Sequence, residues 1–298
     1  MNILLTGATG YIGGKLRKEL ENDPSARLRL FVRNRGKLQG KIHPGIEVAE
    51  GSTLDTDSLR RALRSMDVAY YLIHSMGAGA DFEKLDRLSA GNFLEASVEQ
   101  KVKRIIYLGG LGDPATASRH LLSRIETGQI LSSRPESVQT IWLRAGIIIG
   151  AGSASFEIIR HLVHKIPIMT TPRWVSTITQ PISIGDVMRY LVEAKSIRAR
   201  GNLVVDIGSE RMTFKQMLLE TARVMGLRRY IVPVPLLTPR LSSLWLILFS
   251  PVPYSVARAL VDGLKSETVI TNANARIFFP QIEPLSFEKA VELALTQS

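Results

Sequence analysis

The sequence predicts an α/β chain on a doubly wound parallel sheet, followed by a smaller C-terminal domain. Three observations carry this. Short apolar runs alternate with helical patterns through the first half, the pattern of a parallel sheet with helices on both faces. Runs such as Ile105-Ile106-Tyr107-Leu108 are apolar without alternation, as strands covered on both sides are. A glycine-rich turn separates the first strand from the first helix.

Residues 2–6 read as a buried strand, and 13–22 as a helix ended by Asp23-Pro24, since proline cannot continue a helix. Strands at 27–33 and 46–50, a helix at 56–64 and a strand at 68–73 follow. Residues 81–101 form a long helix with Phe82, Leu85, Leu88, Phe93 and Leu94 toward one side. A strand at 103–108, a helix at 120–132 and a strand at 140–145 complete the alternation. Past Gly150 the texture changes. Residues 156–164 read as a helix, 166–173 as a Pro- and Thr-rich loop, 186–194 as a helix, and 202–207 as a strand returning to the same sheet. The remainder is proline-rich helix and loop, without internal repeats.

Composition sets the bounds. The 298 residues are 45% apolar and 22% charged, which excludes disordered and fibrous classes. There is no cysteine, so a disulfide scaffold, a thiolate metal site and a cysteine nucleophile are all excluded. The apolar start Met1–Leu5 breaks at Thr6-Gly7, too short for a signal peptide, and 244–249 is too short for the roughly 20 residues of a membrane span. A cytoplasmic protein is expected. The net charge of +11 calls for a partner or a purpose.

The turn Thr6-Gly7-Ala8-Thr9-Gly10-Tyr11-Ile12-Gly13-Gly14 supplies one. Gly7 turns sharply, Gly10 admits a pyrophosphate to the backbone, and Gly13 lets helix and strand pack closely. The helix N-terminus then faces the anion with free N–H groups and partial positive charge. This is the dinucleotide site of a Rossmann fold, with Gly7, Thr9, Gly10, Tyr11 and Ile12 as cofactor contacts. NAD-selective sites place an acid after the second strand. Here that place reads Arg33-Asn34-Arg35-Gly36-Lys37, and a guanidinium binds a 2′-phosphate through paired bonds. Between Lys15 and Lys41 nine cations face three acids, so over half of the net charge gathers here. NADP(H) is expected over NAD(H), with Arg33 and Arg35 as contacts; NAD(H) stays open. Nucleic acid is a weaker explanation, because no aromatic-studded basic strand accompanies the charge.

The words Thr-Gly-Ala-Thr-Gly-Tyr-Ile-Gly resemble the short-chain dehydrogenase/reductase superfamily, and more narrowly its extended and atypical branch. That branch includes sugar-nucleotide epimerases, NmrA-like proteins and the nucleotide-binding accessory subunit of respiratory complex I. The resemblance spans nearly the whole chain. Arg144-Ala145-Gly146 matches the end of the sixth strand, and Gln180-Pro181-Ile182 with Asp186-Val187 the loop and helix after it. Tyr70–Gly77 and Thr171–Val175 look like an uncharacterised bacterial subgroup. The resemblance implies a division into residues 1–150 plus about 177–207, which bind dinucleotide, and about 151–176 plus 208–298, a substrate domain. Relatives carry Gly-Asp-Leu around adenine, where this chain has Gly51-Ser52-Thr53-Leu54. The carboxylate is lost, and adenine contact is expected from Ser52, Thr53 and Leu54.

The resemblance also implies a Tyr-x-x-x-Lys pair that this chain lacks. The one match, Tyr11 and Lys15, lies on the phosphate loop. On the helix after the fifth strand His120 and Arg124 stand where the pair would be. Two readings compete: His120 relays a proton near neutral pH while Arg124 holds the ribose, or the chemistry is lost and both only touch cofactor or solvent. Gly109 and the glycines after it replace the helper serine and would leave room for a nicotinamide. Ile73, His74 and Ser75 close the fourth strand at the sheet edge where such folds bind ligands. His74 is equally readable as a satisfied histidine beneath a loop. His161 and His164 have no acid at ligand spacing; Glu157 is expected to pair with His161 rather than complete a metal site.

On the substrate side, Phe156, Ile166, Met169, Trp174, Trp245, Leu246 and Phe249 suggest an apolar lid, with Arg144 and Arg173 as anchors for an anionic group. The same side chains also suit the core of a small domain. The run 236–253, with Arg240 as its one charge, would serve equally as an apolar hairpin on an anionic membrane face. The expected activity is an NADP(H)-dependent oxidoreductase acting on an apolar carbonyl or quinone-like compound. Its rival is a non-catalytic NADP(H)-binding sensor or assembly factor. The oligomeric state is open.

Overall fold

The computed structural model describes residues 1–40, 42–74, 81–171, 173–233, 262–263 and 266–297. Its strands in chain order are β1 (Asn2–Thr6), β2 (Arg27–Val32), β3 (Glu47–Glu50), β4 (Val68–Tyr71), β5 (Arg104–Gly110), β6 (Gln139–Ala145), β7 (Ile148–Ile149), β8 (Ile168–Thr171), β9 (Ile178–Thr179), β10 (Ile182–Ser183), β11 (Leu203–Ile207), β12 (Met212–Thr213) and β13 (Tyr230–Pro233). Seven of them make one parallel sheet in the order β11-β6-β5-β4-β1-β2-β3. The order reverses between β1 and β4, which opens a crevice at their C-terminal ends. The expected doubly wound fold is therefore present, and the late strand returns to the sheet beside β6.

Helices α1 (Tyr11–Glu21), α2 (Thr56–Leu63), α3 (Phe82–Glu99), α4 (Arg119–Leu131), α5 (Ala154–Lys165), α6 (Ile184–Ala194) and α7 (Phe214–Val224) follow, then Asn274–Phe278 and Phe287–Thr296. Alternate strand residues serve opposite faces of the sheet. Ile3, Leu5, Tyr70 and Ile106 join one cluster with Leu16 of α1 and Leu191 of α6. Leu4, Ala69, Tyr71 and Ile105 join the other with Phe93 of α3 and Ile125 of α4. A third cluster packs α5, α7 and Phe287–Thr296 around Phe156, Met217 and Val291.

Two expectations need correction. Residues 166–173 are not all loop: Ile168–Thr171 is a strand, paired in parallel with β13 from Tyr230↔Ile168 to Pro233↔Thr171. Its exposure alternates, with Met169 and Thr171 inward, so β-branched threonine prevails over the neighbouring prolines. The second concerns α3. Leu88 is half exposed, while Asp86, Ser89 and Ser97 are buried. The inward stripe runs Phe82, Asp86, Ser89 and Phe93, a helical stride on which polar residues sit because each finds a partner.

Candidate functional site

The phosphate loop leaves β1 through Gly7, whose φ of +72° favours glycine. A Cβ at Gly7 would fall 2.3 Å from the Leu72 carbonyl oxygen, and one at Gly13 would fall 2.2 Å from the Gly7 oxygen. Both positions need glycine on steric grounds alone. Gly10 N–H donates to the Gly7 oxygen at 2.9 Å, which closes the turn. No side chain caps α1 and no acid lies in its first turn, so its leading N–H groups are left for an anion. Thr9 and Gly10 are exposed at the lip, and a cleft of about 500 Å³ opens there between Thr9, Tyr11, Lys15, Gln39 and Gly152. This cradle fits a pyrophosphate.

Tyr11 and Ile12, the first residues of α1, are half-buried. The Tyr11 phenol points away from solvent, and its Oη is buried without a hydrogen-bond partner. Burial, and secondarily the Glu157 carboxylate, push it up to about 12. Gly150 makes room for it, since a Cβ there would lie 2.7 Å from Tyr11 Oη. What Tyr11 and Ile12 offer a phosphate is therefore backbone.

After β2 the chain enters a short 3₁₀ turn, Arg35–Lys37, where Asn34 accepts from the Gly36 N–H at 2.8 Å. Arg33 and Arg35 are exposed, and neither guanidinium pairs with anything among the described residues. Glu50, at the end of β3, accepts from the Arg35 backbone N–H at 2.6 Å. It holds the turn's backbone and leaves the guanidiniums free. Of the three expected adenine contacts, only Leu54 presents an open side chain, 46% exposed. Ser52 Oγ accepts from the Leu54 N–H at 3.2 Å. The Thr53 hydroxyl accepts from Ser89 Oγ at 2.6 Å, within a buried chain that continues to Tyr71.

Several expected residues of the reaction side are committed elsewhere. On the side where a Cβ would stand, Gly109 is filled by Trp142, whose Nε1 would lie 2.3 Å from it. Gly110 is filled likewise by Leu121, whose Cδ1 would lie 2.4 Å from a Cβ. These glycines let α4 and Trp142 close onto the sheet. Arg144 is no free anchor. Its Nε pairs with the fully buried Asp206 at 2.6 Å, and its Nη2 donates to Thr271. Phe156 is wholly buried in the third cluster, so it is core rather than pocket lining. Arg173 and Trp174 open a 3₁₀ turn, Arg173–Ser176. Ser75, Trp245, Leu246, Phe249 and the run 236–253 lie outside the described residues. As expected, His161 sits beside Glu157, with Nδ1 to Oε2 at 3.6 Å.

What the sheet edge brings together is a histidine pair. Ile73 and His74 follow β4, both half-buried, and His120 opens α4 behind the Ser118 cap. The two rings meet edge to face with centroids 6.4 Å apart, and His120 stacks on Phe82 at 4.3 Å. Burial first, then His74, hold His120 below the ordinary histidine value, so it is neutral at pH 7. Arg124, one turn on, donates to the Leu108 carbonyl at 3.2 Å, fixing α4 to the end of β5. Sequence reasoning missed the partners of His74. Its Nδ1 lies 3.0 Å from Asp86 Oδ2, and Ser123 Oγ donates to the same oxygen at 2.9 Å. The signal was present: Asp86 falls on the apolar stride from Phe82 to Phe93, where an unpartnered acid would be costly.

Comparison with known proteins agrees with this geometry. Residues 7–135 match the model of an NAD(P)H-binding family. No curated protein matches the sequence. Solved structures match over the full length. Triphenylmethane reductase from a Citrobacter species superposes with a TM-score of 0.79 at 19% identity, over 99% of this chain and 100% of that one. The same reductase complexed with NADP(H) gives 0.77, again at 19% identity, with 99% and 100% covered. A nucleoside-diphosphate-sugar epimerase from Staphylococcus aureus gives 0.76 at 15% identity, over 98% and 100%. The match to the NAD(P)H-binding family is confined to residues 7–135, and the solved structures share the fold along the whole chain.

Proposed function

We propose that the protein is an NADP(H)-dependent oxidoreductase that reduces an apolar carbonyl or quinone-like compound. The carrying observation is the pair of exposed, unpaired guanidiniums of Arg33 and Arg35 where an NAD-selective site would place an acid. An unpaired cation at that edge is ready for a 2′-phosphate, with Leu54 beside it for adenine. A Citrobacter reductase of the same fold is complexed with NADP(H), which supports the assignment. The bound cofactor would supply a hydride. The chain's own part is to hold the pyrophosphate on Gly7–Gly13 and to serve the substrate oxygen from the histidine pair. Phe82, stacked on His120, gives that place an apolar wall and favours an apolar substrate. No helix among the described residues is long and apolar enough to cross a membrane.

One observation favours a second reading, a non-catalytic NADP(H) sensor: Gly109, Gly110 and Arg144 are occupied by the protein's own packing. Fluorescence titration with NADPH, followed by a panel of quinones and enals, separates the two. Tight binding with steady loss of absorbance at about 340 nm is expected. Tight binding with no oxidation by any acceptor would give the sensor the stronger case.

A further inference from the structure

A buried polar cluster lies behind the histidine pair, and the dinucleotide site makes no use of it. Asp86 on α3 and Ser123 on α4 are 3% and 2% exposed, and Asp86 Oδ2 meets both the Ser123 hydroxyl and His74 Nδ1. Three elements thus converge: the end of β4, the middle of α3 and the first turns of α4. An ionised carboxylate only accepts, and paired with one, His74 would carry its hydrogen on Nδ1 and turn Nε2 away from Asp86. His120 differs in each respect. Its Nδ1 is buried without a hydrogen-bond partner, and its ring is stacked on Phe82.

We infer that His74, oriented by Asp86 and Ser123, hands a proton to the substrate oxygen, with His120 as the neutral ring across from it. This rests on the reductase reading above. As the carbonyl carbon accepts a hydride from the reduced nicotinamide, which is oxidised, the carbon–oxygen π pair moves to oxygen. The Nε2–H bond of the His74 imidazolium then breaks and the new O–H bond forms. The ring is left neutral and takes its next proton from solvent. Asp86 acts through His74, and Ser123 through Asp86, so both are positioning residues. The charged and titratable groups around the pair are Asp86 and Glu83 from α3, Arg119 from α4, and Asp262.

The test has two arms. In ¹⁵N-labelled protein, long-range proton–nitrogen correlation reads the His74 tautomer with or without NADPH. The Nδ1–H form is expected, with Asp86→Asn losing that preference. A bare Nδ1 in the parent protein overturns the inference whether or not an acceptor is known. In the kinetic arm, His74→Gln should lower turnover by about 100-fold, the range for losing a general acid. NADPH affinity should hold, and melting should confirm the fold. Asp86→Asn should lower turnover less and displace the acid limb of the pH profile. Full turnover in His74→Gln overturns the relay and spares the reductase reading. A parent protein that binds NADPH and reduces no acceptor overturns the reductase reading and the relay with it.

Discussion

The adenine–phosphate half of the crevice and its reaction half are built on opposite plans. Around the loop at Gly7–Gly13 and the turn at Arg33–Lys37, side chains are absent or unoccupied: glycines clear the path, and Arg33, Arg35 and Leu54 stand exposed. Around the ends of β5 and β6, almost every candidate is already bound. Trp142 fills the space at Gly109, Leu121 that at Gly110, Asp206 holds Arg144, and Phe156 is core. Among the described residues the histidine pair stays half-buried there, with Asp86 behind His74. The lesson is that residue type announces a site, but freedom from internal partners is what lets it bind. A guanidinium facing water is free to take a ligand, whereas one beside a buried carboxylate is a structural part.

The sharpest way to break this contrast is the loop. Gly13→Val should lose NADPH affinity by about 100-fold, because its Cβ must displace the Gly7 carbonyl at a cost of about 3 kcal/mol. Fluorescence titration reads it, and unchanged affinity would mean the loop is not the cradle. Next is Arg144→Met, which leaves the fully buried Asp206 carboxylate without its cation. A loss of about 3 kcal/mol in urea unfolding is expected, with NADPH affinity unmoved; an intact fold with weakened substrate binding would restore Arg144 as an anchor. Gly109→Ala drives a methyl into Trp142 and should cost about 2 kcal/mol of stability. If it instead abolished cofactor binding at full stability, the glycine would belong to the site after all.

Smaller effects sharpen the picture. Arg33→Asp should weaken NADPH about tenfold relative to NADH, the worth of one charge-assisted contact. Equal weakening of both would remove Arg33 from the phosphate role. The smallest effect is on stability against pH. His120 titrates lower in the fold than the roughly 6.5 of an unfolded chain. The unfolded state therefore binds more protons below that value. Stability is full above it and falls as the pH drops through the folded value. His120→Gln should flatten that decline in acid melting curves, and an unaltered slope would place the dependence on other groups.

Much of this was readable in advance, and for identifiable reasons. Strands β1 to β6 lie close to the apolar runs that predict them, because burial on both faces leaves a local trace. The phosphate loop and the basic turn are contiguous words of sequence, so their chemistry is local as well. The pairing of β8 with β13 joins residues some sixty positions apart, and no local pattern encodes a partner at that distance.

By itself, then, the sequence determined the parallel sheet with helices on both faces and the glycine turn after its first strand, both set by short-range sterics and burial. Tertiary structure alone decided which polar side chains stay available. Asp206 claims Arg144 across 62 positions, and Asp86 claims His74 across 12 while drawing in Ser123 from 37 away. A hydrogen bond depends on where two atoms come to rest, and that is known only once the helices have packed.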